Sequence, residues 1–196
     1  NKHSQRGVVA VATGGGKTIF ALQAFSTLKP SPKLLVIVPT EALQDQWIVN
    51  ISEELQIPEN EIGILNSKSN DEEIRDINVV IINSARNIKI SDSLKAKTML
   101  VVDECHRSGS YENSKALLGP WRFTLGLSAT PERQVDDGFE IYVAKALGKE
   151  IYEYSVQQAI QDGVLTPFQL INIEVPLTSK EDEIHQMLTK KISRLR

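Results

Sequence analysis

A glycine-rich stretch near the start of the chain has the composition of a phosphate-binding loop. Three consecutive glycines follow a short apolar run and are followed at once by Lys17 and Thr18. The backbone N–H groups of a tight glycine turn point into one hollow, and a helix that begins at the lysine adds partial positive charge. The lysine can reach the outer phosphates, and the threonine hydroxyl can bind magnesium. The stretch predicts a nucleoside triphosphate site formed by Thr13, Gly14, Gly15, Gly16, Lys17 and Thr18.

The match of this stretch to the pattern G-x-x-x-x-G-K-[ST] is incomplete, because Val11 stands where the pattern has its first glycine. A flexible glycine loop with a lysine nearby by chance is the alternative interpretation. The predicted strand before the loop and the predicted helix after it favour the phosphate loop.

Two adjacent carboxylates, Asp103 and Glu104, follow the apolar run 99–102. A buried strand that ends in two acids places both at the carboxyl edge of a sheet, where ligands bind in open α/β folds. We expect Asp103 to hold magnesium and Glu104 to orient or deprotonate the attacking water; a solvated acidic turn is the alternative. Because no second His or Cys stands at metal-ligand spacing, His106 fits a polar relay better than a metal ligand. Cys105 fits a small buried filler.

Two further strand ends carry hydroxyl groups. Ser128 and Thr130 could sense the γ-phosphate, although an ordinary turn whose hydroxyls cap backbone groups is the simpler alternative. Pro39 and Thr40 begin a helix, and the exposed N–H groups at a helix start can hold a nucleic-acid phosphate. A capped amphipathic helix with Trp47 in the core is the alternative there. We expect both a core position for Trp47 and a contact at the helix start.

The elements that must position these residues alternate between strand and helix, which predicts an α/β fold with a mostly parallel central sheet and helices on both faces. Buried strands are predicted from short apolar runs and helices from apolar residues at helical spacing. The predicted strands are 8–12, 34–38, 62–65, 78–82, 97–103, 123–128, 151–154 and 168–175. The predicted helices are 17–28, one from Thr40 through Ile51, 139–147, 156–161 and 179–196, with Ser179 as N-cap of the last and Asp182 three residues later.

The composition excludes several classes of protein. The chain has 196 residues, a net charge of −3 and one cysteine, so a strong polycation, an internal disulfide and a multi-cysteine zinc site are not expected. The cysteine count fits a reducing, cytoplasmic compartment, and no apolar run reaches the roughly 20 residues that span a bilayer. Without an initiator Met, the chain is expected to be cut from something longer. A solvated surface is the simpler alternative to a nucleic-acid groove for the basic residues Lys89, Lys95, Lys97, Arg107, Lys115 and Arg122.

Taken together and in this order, four segments resemble motifs I, Ia, II and III of the first RecA-like domain of superfamily 2 helicases and translocases. These segments are 14–18, 39–43, 103–106 and 128–130, and Asn83 and Ser84 lie where the family has motif Ib. Residues 126–133, 152–155 and 159–167 are similar to the branch that holds the excision-repair translocases, phage recombination helicases and restriction-enzyme motors.

The resemblance implies a RecA-like P-loop domain of an ATP-driven motor that acts on duplex or branched DNA, with ATP and Mg²⁺ as cofactors. Lys17, Glu104 and His106 are the implied catalytic group, with Glu104 as the base. Thr18 and Asp103 are the implied magnesium ligands. The implied nucleic-acid contacts are Pro39, Thr40, Asn83 and Ser84, and the implied residues that couple hydrolysis to movement are His106, Ser128 and Thr130.

The resemblance also implies a domain organisation. Residues 1–150 would form the first motor domain, and residues 151–196 would form an exit segment toward a second RecA-like domain. That second domain, which is missing from the chain, supplies an arginine finger in the family, so the chain alone is expected to hydrolyse ATP weakly and to unwind nothing. The alternatives are an RNA-dependent ATPase or helicase, a nucleotide-gated nucleic-acid-binding module without useful turnover, and a restriction-type motor whose nuclease lies elsewhere. No membrane partner is expected.

Overall fold

The strands of the computed structural model, which describes residues 5–130, 137–167 and 171–193, form one parallel sheet. They are β1 (Arg6–Val11), β2 (Lys33–Val38), β3 (Gly63–Leu65), β4 (Ile77–Ile81), β5 (Thr98–Val102), β6 (Phe123–Ser128) and β7 (Glu150–Tyr154). Their order across the sheet is β3-β4-β2-β5-β6-β1-β7, and each neighbouring pair is parallel. The predicted α/β class with a parallel central sheet is confirmed.

Helices cover both faces of this sheet. The helices that accompany the sheet are α1 (Lys17–Thr27), α2 (Glu41–Leu55), α3 (Ile82–Ala85), α4 (Asp92–Lys95), α5 (Tyr111–Ser114), α6 (Ala144–Leu147) and α7 (Val156–Gln161), and α8 (Ser179–Ser193) belongs to a separate unit given below. A π-helix at Phe139–Val143 leads into α6, and single 3₁₀ turns lie at Glu59–Glu61, Asp71–Glu73, Cys105–Gly109 and Lys115–Leu117.

Alternate residues of the buried strands point to two cores. In β2, Val36 and Val38 face the core covered by α1 and α2, whereas Leu35 and Ile37 face the opposite core. This is the period of two that a strand imposes on its side chains. Because both faces are covered, β2 and β5 contain continuous apolar runs at 34–38 and 99–102, which is why they could be predicted from the sequence.

The second helix forms as its sequence predicts. Thr40 is its N-cap, with extended backbone and with Oγ1 accepting a hydrogen bond from the Leu43 N–H at 3.3 Å. Trp47 and Ile51 are buried against the sheet. This helix therefore has a fixed start at the carboxyl end of β2.

The predicted strand over 168–175 is wrong where the structure describes it, because residues 171–178 have no regular secondary structure. Phe168, with which the predicted strand begins, lies outside the described residues. Ile171, Ile173 and Val175 are 69%, 81% and 77% exposed. Alternating apolar residues suit a strand only where a neighbouring strand supplies hydrogen-bond partners.

The predicted cap of the last helix is also displaced by one residue. Thr178, not Ser179, accepts a hydrogen bond from the Glu181 N–H through Oγ1 at 3.4 Å, and Glu181 Oε2 accepts one from the Thr178 N–H at 2.9 Å. These two bonds form a reciprocal capping box, with Thr178 as the cap and Glu181 at the third helical position. With Ser179 as the cap, the third position would instead be Asp182. The predicted residues 194–196 of this helix lie outside the described residues.

The chain divides into two compact units, Asn1–Thr166 and Pro167–Arg196. The first holds the sheet, including β7, which pairs with β1, and the second holds α8. The functional division at residue 150 between motor domain and exit segment stays a prediction. Over the described residues, no helix combines the length and the apolar character needed to cross a membrane.

Candidate nucleotide and metal site

The glycine stretch forms a tight loop between β1 and α1. Gly14 and Gly16 have φ angles of 82° and 85°, a left-handed conformation that residues with a Cβ rarely adopt. The Gly15 N–H donates to the Ala12 carbonyl at 2.9 Å, which closes the turn, and Thr13 is exposed within it. Gly16 is the N-cap of α1 and provides no side-chain cap. The first N–H groups of this helix are therefore left for a ligand, and a helix N-terminus favours an anion.

Lys17 joins this loop to the acid pair. Its Nζ lies 3.9 Å from Glu104 Oε1 and donates to the Val11 carbonyl at 3.3 Å. The valine at the position of the first glycine in the phosphate-loop pattern thus supports the lysine through its backbone. Thr18 lies half-buried in the first turn of α1, next to this lysine. The structure brings together the two segments, 14–18 and 103–104, on which the predicted site depends.

Asp103 is held at the end of β5 by three hydrogen bonds. Its own N–H donates to the Ile37 carbonyl at 2.9 Å, its Oδ1 accepts from the Glu104 N–H at 2.9 Å, and its Oδ2 accepts from Trp47 Nε1 at 2.8 Å. The side chain is nearly buried, since Asp103 is 9% exposed. The hydrogen bond from Trp47 is the contact that sequence reasoning missed. The periodicity of α2 correctly places this indole in the core but carries no information on where its N–H points.

Glu104 adopts a left-handed backbone conformation, with φ 46° and ψ 49°. Such a conformation is uncommon for a residue with a Cβ and is frequent at functional sites. It turns the carboxylate away from the strand direction, so that Oε1 approaches Lys17 and Oε2 lies 3.4 Å from His106 Nδ1. Two oxygens of one carboxylate thus approach cationic or polar groups from two different loops.

A polar chain continues from His106 to the end of β6. His106 Nδ1 lies 2.9 Å from Ser128 Oγ, and the same oxygen accepts from the Thr130 N–H at 3.2 Å. Ser128 is fully buried and the His106 side chain is 31% exposed, so this contact is partly buried. The predicted role of His106 as a polar relay toward a neighbouring loop stays a prediction. We name Lys17, Asp103, Glu104, His106 and Ser128 the first edge group.

Cys105 has the properties of a filler. It is 0% exposed, and burial, followed by the charges of Glu104 and Asp103, raises the pKa of its thiol from 9.0 to about 12. A thiol with this pKa stays protonated at neutral pH and is a poor nucleophile. The interpretation of Cys105 as a buried packing residue agrees with this environment.

The oxygen donors at this edge suit magnesium. Mg²⁺ prefers hard oxygen ligands and usually takes only one or two from the protein, with water and substrate phosphates supplying the rest. The Asp103 carboxylate and the Thr18 hydroxyl are ligands of this kind. Over the described residues, no group of three or more His, Cys, Asp or Glu side chains is placed to hold a metal ion by itself.

The remaining predicted residues lie at the ends of the adjacent strands β2 and β4. Pro39 and Thr40 follow β2, while Asn83 and Ser84 lie in α3 directly after β4. Thr40 and Asn83 are exposed. We name these four residues the second edge group. Trp47 connects the two groups, because α2 begins beside Thr40 and carries the indole that reaches the first edge group.

Two residues from beyond position 150 also lie against the glycine loop. A methyl group added at Gly14 would lie 3.4 Å from Leu165 Cδ2, and one added at Gly15 would lie 3.5 Å from Tyr154 Cδ1. The Tyr154 hydroxyl in turn donates to Asp162 Oδ2 at 2.8 Å. Tyr154 and Leu165 therefore lie beside the loop, a position that no local sequence signal indicates.

Comparison with known proteins places the chain in a family. Residues 1–133 match the family model described as "Type III restriction enzyme, res subunit". The chain belongs to this family. This match and the relatives described next confirm the predicted resemblance to superfamily 2 helicases and translocases.

Two relatives and one solved structure show the range of this likeness. The chain is 29% identical over 191 residues to DNA 3'-5' translocase XPB2 of Sulfurisphaera tokodaii, which is 96% of this chain and 40% of that protein. It is 34% identical over 146 residues to the putative ATP-dependent RNA helicase QP509L of African swine fever virus, which is 70% of this chain and 27% of that protein. The crystal structure of the UvsW helicase from bacteriophage T4 matches with a TM-score of 0.57 and 19% identity, over 76% of this chain and 54% of that chain. The structural match confirms the helicase-type RecA-like fold, and the chain spans less than half of either curated relative.

Proposed function

We propose that this chain is the first RecA-like domain of an ATP-dependent DNA helicase or translocase, in which residues 14–18 bind the ATP phosphates and Glu104 acts on the attacking water. The observation that carries the proposal is the 3.9 Å approach of Lys17 Nζ to Glu104 Oε1. It joins a loop built for phosphate to a carboxylate at the carboxyl edge of the sheet. The division into a motor domain at 1–150 and an exit segment at 151–196 belongs to this proposal.

Phosphate binding begins with the backbone. The N–H groups of the glycine loop and of the uncapped start of α1 donate to the phosphate oxygens, and the helix dipole adds to the attraction. Lys17 exchanges its contacts with Val11 and Glu104 for the phosphates, which leaves Glu104 able to accept a proton from water. A magnesium ion held by Thr18 and Asp103 would neutralise charge that develops on the phosphates.

Coupling to movement uses the polar chain. Glu104 lies 3.4 Å from His106, which lies 2.9 Å from Ser128. A change in the charge around Glu104 when the γ-phosphate leaves alters the hydrogen bond that His106 makes with Ser128. Thr130, whose N–H is bound to Ser128, lies on the loop after β6 and carries that change away from the nucleotide.

The second edge group supplies the proposed contact with nucleic acid. Thr40 is exposed, and its hydroxyl oxygen caps α2 while its O–H remains a donor for a phosphate oxygen. DNA is favoured over RNA because the relative that spans nearly the whole chain is named a DNA translocase. RNA is the second candidate, because another relative is named a putative RNA helicase. A DNA substrate also implies that the protein works inside the cell.

Nucleotide binding tests the core of the proposal. Titration calorimetry of the chain with ATP and Mg²⁺ should give saturable heat that Lys17→Ala abolishes. Lys33→Ala is the control, because Lys33 also approaches a carboxylate, Asp76 at 2.8 Å, but begins β2 at the opposite edge of the sheet. No binding by the unaltered chain, or equal loss in both variants, would contradict the proposed site.

An ATPase assay of the full-length protein that contains the chain distinguishes DNA from RNA as the substrate. ATP hydrolysis should rise several-fold with duplex DNA and much less with duplex RNA, and the isolated chain should remain slow with either. The expected deficit of the chain alone is about 10³ to 10⁵ in rate, because an arginine finger contributes that much in related phosphoryl transfer. Stronger stimulation by RNA would establish the second candidate, and rapid DNA-stimulated turnover by the chain alone would disprove the need for a second domain.

A further inference from the structure

The indole of Trp47 lies in the core yet reaches into the first edge group. Trp47 is 1% exposed and packs in the core formed by α1, α2 and one face of the sheet. Its Nε1 donates to Asp103 Oδ2 at 2.8 Å. With both partners largely removed from water, a hydrogen bond to a carboxylate is stronger than it would be at the surface.

The carboxylate of Asp103 is fixed by donors at both oxygens. Oδ1 accepts from the Glu104 N–H at 2.9 Å, and Oδ2 accepts from the indole. A carboxylate oxygen has two lone-pair sites, so each oxygen retains one for another partner. The two donors come from different elements, the loop after β5 and helix α2, and together they restrict rotation of the carboxylate plane.

We propose that Trp47 is a positioning residue for the magnesium site: its indole N–H orients the Asp103 carboxylate so that the remaining lone pairs face the bound metal. This inference rests on the proposed function. A hydrogen bond to a metal-ligating group orients that ligand and raises metal affinity, and the loss of such a bond costs about 10- to 100-fold in affinity or activity.

A purely structural role is the competing explanation, and the chain contains a control for it. Trp121 is also buried, at 6% exposure, and its Nε1 donates to the Leu117 carbonyl at 2.9 Å in the core on the other face of the sheet. Replacement of either tryptophan by phenylalanine removes one buried indole donor and preserves an aromatic ring. Only Trp47 has a partner in the first edge group.

The first experiment compares Trp47→Phe with Trp121→Phe in the binding of a fluorescent ATP analogue at increasing Mg²⁺ concentration. The Mg²⁺ concentration at half-maximal binding should rise about 10- to 100-fold in Trp47→Phe and stay unchanged in Trp121→Phe. Binding in EDTA should be the same in both variants, because the glycine loop is intact. An unchanged Mg²⁺ midpoint in Trp47→Phe, or an equal rise in both, would overturn the inference.

The second experiment uses the unaltered chain, so that it holds even where Trp47→Phe does not fold. The sequence contains two tryptophans, and the Trp121→Phe spectrum assigns their two indole N–H signals in an ¹⁵N-labelled sample. Addition of Mg²⁺ to the nucleotide-bound chain should shift the Trp47 signal and leave the Trp121 signal in place. If the Trp47 signal does not move although Mg²⁺ strengthens nucleotide binding, the positioning role is overturned and the proposed function is not. An absence of any nucleotide binding overturns the proposed function and this inference with it.

Discussion

The two edge groups occupy the same edge of one sheet but are held in different ways. In the first, the side chains approach one another across separate loops, as Lys17 does with Glu104 and His106 with Ser128. In the second, the described contacts are local: Thr40 caps its own helix.

Asn83 continues this local pattern, because its Oδ1 accepts from Arg86 at 2.7 Å, three residues further along the chain. The difference fits the proposed roles. Groups that act on a reacting phosphate must be fixed closely relative to one another, which requires contacts from several elements. Groups that bind a phosphate backbone need only a stable, exposed donor. Substitutions in the first edge group should therefore change chemistry, and substitutions in the second should change affinity for nucleic acid.

The largest effect is expected at Glu104. Glu104→Gln removes the base while keeping the size of the side chain, so ATP hydrolysis by the full-length protein should fall about 10²- to 10⁴-fold. ATP binding should persist, because residues 14–18 and Asp103 are intact. Single-turnover hydrolysis and equilibrium binding measure the two quantities separately. Hydrolysis at the original rate would assign the base to another residue.

The buried thiol of Cys105 gives a smaller effect that depends on pH. Its pKa is raised from 9.0 to about 12 in the folded chain, so above pH 9 the unfolded chain loses this proton first and stability falls as pH rises. The expected slope is about 1.4 kcal/mol per pH unit between pH 9 and 12, and below pH 9 this group has no effect. Urea unfolding from pH 8 to 10.5 measures the slope, and Cys105→Ala should remove this part of it. Equal slopes in both proteins would contradict burial of the thiol beside the acid pair.

The glycine loop permits a test with a matched pair of substitutions. Gly16 has φ 85° and nothing within 4 Å of an added methyl group, and Gly163 has φ 71° and equally free space. Alanine at either position should reduce the free energy of unfolding by about 1–2 kcal/mol, the cost of left-handed backbone for an L-residue. Only Gly16→Ala should also weaken ATP binding. A similar loss of affinity in Gly163→Ala would show that general destabilisation is the cause.

The smallest effect is expected in the second edge group. Thr40→Ala removes the cap of α2 and should reduce the free energy of unfolding by about 1 kcal/mol, whereas Thr40→Ser keeps it. The alanine variant should also bind DNA more weakly than the serine variant, with ATP affinity unchanged. Fluorescence anisotropy with labelled duplex DNA measures this difference. Equal DNA affinity in the two variants would remove Thr40 from the proposed nucleic-acid contact.

Local sequence patterns were sufficient for much of the fold. β2 contains all of the predicted residues, 34–38, because a strand that is buried on both faces is a continuous apolar run, and here a proline follows it at once. The start of α2 was predictable because a threonine cap is a local signal: Thr40 satisfies one of the free N–H groups of the first turn, that of Leu43. The predicted strand over 168–175 has the same alternation as a true strand, but strand formation depends on a partner elsewhere in the chain. The sequence does not identify the cap at Thr178, because two adjacent hydroxyl residues, Thr178 and Ser179, each have an acidic residue three positions later.

The candidate site, like the fold, could be predicted from the sequence only in part. The spacing of Lys17, Asp103 and Glu104 was sufficient to predict their convergence, since parallel strands deliver their carboxyl ends to one edge. The hydrogen bond from Trp47 to Asp103 joins residues 56 positions apart. Helical periodicity marks Trp47 as buried, but the direction of its N–H depends on how α2 packs on the sheet.

The last strand of the sheet has a practical consequence. β7 pairs with β1, and the Ala12 N–H donates to the Tyr154 carbonyl at 3.0 Å. A chain shortened to end at residue 150 would leave β1, whose Val8 and Val9 are completely buried, as an open edge with unsatisfied backbone groups. Bare apolar edges of this kind recruit other chains. A chain shortened in this way would be expected to aggregate on expression. A chain that ends after residue 166 would retain β7 beside β1.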